Sequence, residues 1–155
     1  MTEEENPVGI SILIALSDSI SSQFMIDFVA RLPLCREEVS VTLLHIYREP
    51  AAAGDLMGHR FTEEQPSKCS SILDHAKDKL AKAGFPADQI IPSFVDSPYP
   101  TIADGVIDQI NKGDYDMVVI GRKNMSKAEE FVRGDISVKL LRALEGLCLL
   151  VVKTP

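Results

Sequence analysis

Residues 117–120, Met-Val-Val-Ile, are apolar without a break, and this short run limits the possible folds more than any other feature of the chain. A strand with one face in water alternates apolar and polar positions, whereas a run with no polar position needs cover on both faces. Gly121 follows at once, where a chain turns or lets something come close. The same pattern returns at residues 10–16 (ISILIAL), interrupted only by Ser11, and in the six apolar residues LCLLVV that begin at Leu147 and end at Val152. Residues 39–46 (VSVTLLHI), dominated by β-branched and apolar side chains, are a further predicted strand.

Helical patterns separate these runs. Ser17, Asp18 and Ser19 are capping candidates, and Ile20, Phe24, Phe28 and Leu32 recur every fourth residue behind them. Met25 and Val29 widen that stripe, and Pro33 ends it. Residues 48–66 show no clear periodicity and are punctuated by Pro50, Gly54, Gly58 and Pro66, which predicts a mobile loop, with part of the stretch either helical or disordered. Ile72, Leu73, Ala76 and Leu80 give a second helix from Ser67 to a stop at Gly84. Residues 89–95 (QIIPSFV) read as a strand, and Pro92 within it fits a sheet edge. Thr101 can cap a third helix carrying Ile102, Val106 and Ile110 and ended by Gly113. A fourth, after Gly134, carries Val138, Leu141 and Leu144 and stops at Gly146.

Strands alternating with helices imply an α/β fold: an open, doubly wound parallel sheet of five strands with four helices and right-handed crossovers. At 155 residues the chain is long enough for one self-sufficient domain, with residues 1–7 expected to fray. The net charge of -7 argues against a nucleic-acid partner, which needs clustered Lys and Arg to displace counterions. Cys35, Cys69 and Cys148 are odd in number and form no CxxC pair, so reduced thiols, a cytoplasmic setting and no metal site are expected. No apolar stretch approaches the roughly 20 residues of a membrane span.

Strand, polar loop and helix start together make a setting for phosphate, since helix-start amides and the macrodipole favour an anion. The spacing of Gly121, Asn124 and Gly134, followed by Asp135, resembles the C-terminal signature of the universal stress protein family. In that signature, glycine, two residues, glycine, nine residues, then glycine followed by Ser or Thr cradle the phosphates of ATP. The resemblance runs from Ile10 to Lys153 and implies strand order 3-2-1-4-5, the fold of the adenine nucleotide alpha hydrolase-like proteins. It places the switch point between strands one and four, where open α/β sheets bind ligands. It also maps nucleotide contacts onto Ala15, Leu16 and Ser17, Ile46 against the adenine, and Gly121, Asn124, Gly134, Asp135, Ile136 and Ser137.

The chain departs from that pattern at three positions. Ser17 stands where nucleotide-binding members carry an acidic residue, with Asp18 one place along. Asn124 replaces a glycine, although asparagine tolerates a left-handed backbone. Asp135 replaces a hydroxyl. A carboxylate about 4 Å from a phosphate charge costs about 1 kcal/mol in water and about 4 kcal/mol at an effective dielectric near 20. Helix capping is the competing explanation for Asp135. Arg122, Lys123, Lys127 and Arg133 keep the loop cationic, and Glu129 and Glu130 dilute it.

His45 ends a strand with no nucleophile beside it and reads as structural. Cys148, inside an apolar run, reads as inert packing. Asp114 and Asp116 precede their strand, at the end away from the switch point. The expected function is therefore a non-enzymatic stress-response or regulatory module with a degenerate nucleotide site. It would act as a homodimer through the strand from Leu147 to Val152, an apolar sheet edge, and through an unidentified protein partner. No catalytic residue and no cofactor are expected. The alternative is an adenine nucleotide binder, for ATP, AMP or cyclic AMP, and hydrolysis of ATP is a weaker third reading that rests on fold analogy.

Overall fold

The computed structural model describes residues 9–47, 60–96, 99–124, 126–128 and 135–155. Its elements are β1 (Ile10–Leu16), α1 (Ser19–Arg31), β2 (Val39–Tyr47), α2 (Arg60–Lys82), β3 (Ile90–Asp96), α3 (Ile102–Lys112), β4 (Met117–Lys123), α4 (Ile136–Ala143) and β5 (Cys148–Thr154). The five strands form one sheet in the order β3-β2-β1-β4-β5. Every neighbouring pair is parallel. Pro92 lies on β3 at the sheet edge, where its missing amide leaves no gap in a ladder.

Alternate residues of the central strand feed two cores. Ile12, Ile14 and Leu16 of β1 join Met25, Ile26 and Val29 of α1 and Leu73 and Leu80 of α2. Leu13 turns the other way, toward Val106 and Ile110 of α3 and Leu140 of α4. This two-sided burial is what unbroken apolar runs require, and each fully buried Ile or Leu contributes about 1.5–3 kcal/mol. No helix among the described residues is long and apolar enough to cross a membrane.

Several expectations need correction. α2 begins at Arg60, ahead of Ser67, and runs through Pro66, so the end of the expected 48–66 loop is helical; residues 48–59 lie outside the described residues, as do 1–7. Pro66 has no amide to donate into a helix ladder, which made it read as loop punctuation, yet it lies within a helix of 23 residues. β4 does not close at Gly121, because the ladder continues with Gly121 opposite Val152, Arg122 opposite Lys153 and Lys123 opposite Thr154.

The inward faces of two helices also differ from those expected. α1 buries Met25, Ile26 and Val29, while Ile20 is 60% and Phe24 48% exposed. α4 packs Ile136, Leu140 and Leu144 into the core, leaving Val138 and Leu141 outside. Both helices carry apolar residues on more than one face, so periodicity alone did not select the buried one. Cys148 opens the edge strand β5 and is exposed, not packed inside.

Candidate functional site

The parallel order brings the carboxyl ends of β1 and β4 side by side, with Ala15 opposite Ile120, and β2 on the other flank with Ala15 opposite Leu44. A crevice opens there, and Ala15, Leu16, Ser17, Ile46, Gly121 and Ile136 all line it. Six of the ten site residues expected from the sequence are thus gathered at one place. Asp135 and Ser137 stand at the start of α4 beside it, Asn124 lies exposed on the strand of chain after β4, and Gly134 is outside the described residues.

The crevice is small because apolar side chains fill it. Its volume is about 50 Å³, whereas pockets for small ligands hold about 300–1,000 Å³. The sequence reading missed Leu44, Ile102, Val106 and Ile120, which supply much of the lining. The signal was present for α3, since Ile102 and Val106 follow directly on the Thr101 cap, whose hydroxyl accepts from the Asp104 amide at 3.2 Å. Gly105 brings α3 close: a β-carbon there would lie 2.5 Å from Ile46 Cδ1 and 2.8 Å from Tyr99 Cδ2. Ile46 is therefore pressed against α3 at the position expected to face a base.

Charge at the mouth is neutralised from within the chain. Asp135 caps α4, its carboxylate accepting from the Ser137 amide at 3.0 Å. The same carboxylate pairs with the Arg122 guanidinium at 2.7 Å. The Ser137 hydroxyl holds the Asp135 carboxyl below its ordinary range; partial burial opposes this, and Arg122 and the Ser137 and Val138 amides add to it. One residue on, Lys123 pairs with Asp18 at 2.5 Å. Asp18 is the N-cap of α1, accepting from the Ile20 and Ser21 amides. Burial pushes Asp18 upward, but Lys123 and the Ser21 amide outweigh it, so the net direction is down.

Backbone donors are committed as well. The Ser17 amide donates to Ser22 Oγ at 3.1 Å, and Ser21 and Thr154 join hydroxyls at 3.1 Å, tying α1 to the end of β5. Gly121 sits against Met25, whose Sδ and Cε would lie 3.2 Å from an added β-carbon, so close helix packing already accounts for the glycine. No described residue other than glycine has positive φ, so Asn124 does not take up the left-handed backbone its residue type permits.

On the face of β2 opposite Ile46, His45 stacks on Phe94 with ring centroids 6.3 Å apart. Burial lowers its pKa, and a hydrogen bond with the Leu16 backbone opposes the shift. Asp116 is structural: its carboxylate accepts from the Ser11 amide at 2.8 Å, at the opposite end of the sheet. Among the described residues no group of three or more His, Cys, Asp or Glu could hold a metal ion.

Solved structures share the whole architecture. A universal stress protein in complex with cAMP superposes with a TM-score of 0.66 at 18% identity, over 96% of this chain and 99% of that one. The universal stress protein from Archaeoglobus fulgidus in complex with dAMP gives 0.61 at 16% identity, over 96% and 99%. Universal stress protein UspA from Lactobacillus plantarum gives 0.64 at 12% identity, over 94% and 97%. A comparison with curated proteins gives no match. The model of the universal stress protein family matches residues 11–151, and the chain therefore belongs to that family.

Proposed function

We propose that this chain is a non-enzymatic regulatory module of the stress response, working in the cytoplasm through dimerisation and partner binding, with its nucleotide site out of use. One observation carries the reading: Asp135 holds the anion position at the start of α4, bonded to the Ser137 amide and to Arg122. A phosphate placed there would meet a carboxylate rather than a hydroxyl, at about 4 kcal/mol per charge near 4 Å and an effective dielectric near 20. The apolar filling of the crevice adds the cost of moving Ile46, Ile102 or Val106 aside. Dimerisation is supported by β5, an edge strand rich in Leu and Val, since the amides and carbonyls of a sheet edge suit a second copy.

Adenine nucleotide binding is the second reading. It is favoured by the convergence of Ala15, Ile46 and Gly121 on the crevice and by the relatives solved with cAMP and dAMP. Calorimetric titration of AMP and ATP into the wild type and into the triple variant Ser17→Asp, Asn124→Gly, Asp135→Ser separates the two. The expected result is wild-type affinity weaker than about 1 mM and a gain of at least about tenfold in the variant, roughly 1.4 kcal/mol. Tight binding by the wild type, or no gain in the variant, would show that the mouth of the crevice does not set affinity.

A further inference from the structure

The first half of the most regular apolar stripe in the sequence faces outward, with Phe28 and Leu32 half-buried behind it, beside the β5 edge of the sheet. Ile20 and Phe24 are largely exposed, whereas Met25, Ile26 and Val29 on the inner face of α1 are buried. Phe24 and Phe28 line a groove of about 300 Å³ with Leu150, Val151 and Val152 of β5, and Arg31 and Lys153 stand along it. An apolar centre with a charged rim is the make-up of a protein interface.

We propose that this outer face of α1 packs on its own counterpart in a second copy, forming an aromatic layer over the seam between the two β5 strands. The inference rests on the reading that β5 pairs with its own copy, and it adds where most of the contact comes from. A strand of seven residues is about 23 Å long and a sheet about 10 Å thick, so edge pairing alone covers about 230 Å². A stable interface needs about 800 Å² per partner. The remainder has to come from surface continuous with the edge, and the groove between α1 and β5 is that surface.

Geometry explains why the residues are phenylalanines. Antiparallel pairing of one strand with its copy sets the two-fold axis perpendicular to the sheet, which keeps both α1 helices on the same face. α1 packs across β1, β4 and β5 and so lies over β4, and the distance from β4 to the β4 of the copy is three strand spacings, about 14 Å. Packed helices are ordinarily 8–10 Å apart. The wider gap calls for long, rigid apolar side chains, which Phe24 and Phe28 of each copy provide.

Sedimentation equilibrium of the full chain at micromolar concentration tests this, with far-ultraviolet circular dichroism checking the fold of each variant. The wild type is expected to be a dimer, Val151→Pro a monomer, and the double variant Phe24→Ser, Phe28→Ser at least tenfold weaker in dimer Kd. Leu141→Ser, on α4 across the sheet, should leave Kd unchanged. A folded double variant that dimerises like the wild type overturns the aromatic layer and leaves β5 pairing intact. A wild-type monomer removes both. A dimer that resists Val151→Pro but not the double variant would put the interface elsewhere on α1 and end the β5 reading. Should the double variant misfold, Phe24→Lys alone, at a side chain already 48% exposed, carries the same tenfold expectation, and an unchanged Kd there overturns the proposal equally.

Discussion

Asp135 joins three roles that a nucleotide-binding loop divides between residues and ligand: it caps α4, it satisfies Arg122, and it fills the space in front of the helix amides. Replacing it with Ala should cost about 1 kcal/mol, the usual loss of an N-cap. The pH dependence follows from its lowered pKa. The stability it adds is fully present above the unfolded value near 3.9 and is lost as pH falls through the lower folded value. Thermal melts should therefore show a constant gap between wild type and Asp135→Ala from about pH 5 to 8, closing below about pH 4; a gap that widens in acid would contradict the assignment. The carboxylate at 135 was legible in the sequence, and so was the choice between capping and repulsion. Its pairing with Arg122, and that of Asp18 with Lys123, was not: Asp18 and Lys123 meet only where the ends of β1 and β4 pack together, and Arg122 and Asp135 only where the end of β4 comes beside the start of α4.

Elements were legible wherever one physical rule acted alone. Apolar runs located β1, β4 and β5, β-branched and apolar content located β2, Pro92 put β3 on an edge, and Thr101 and Gly113 bracketed α3. Ambiguity entered where two apolar faces share one helix. In α4 the spacing of Val138, Leu141 and Leu144 suggested one face, but the packed face is Ile136, Leu140 and Leu144. Stability measurements distinguish these faces. Leu140→Ala should cost about 2–5 kcal/mol by leaving a core cavity, whereas Leu141→Gln should change stability by no more than about 0.5 kcal/mol. Equal losses in denaturant unfolding would mean that both faces are covered. The outward stripe of α1 is the same ambiguity with a further consequence, because the exposed Phe24 and the half-buried Phe28 adjoin β5.

The whole molecule keeps the topology of a nucleotide-binding fold while its own side chains occupy the crevice. Strand order, the switch point and the gathering of Ala15, Ile46 and Gly121 were legible, since they follow from the order of elements and the resemblance built on it. The filling of the crevice was not, since it depends on how closely Gly105 lets α3 approach Ile46, a distance with no sequence signature. In the proposed reading, the chain's own carboxylate and apolar side chains stand where a nucleotide would. Mass spectrometry of the small molecules released when the freshly purified protein is denatured tests it most directly. No adenine nucleotide near one equivalent per chain is expected; recovery of AMP, ATP or cyclic AMP at that stoichiometry would contradict a crevice filled by the chain itself.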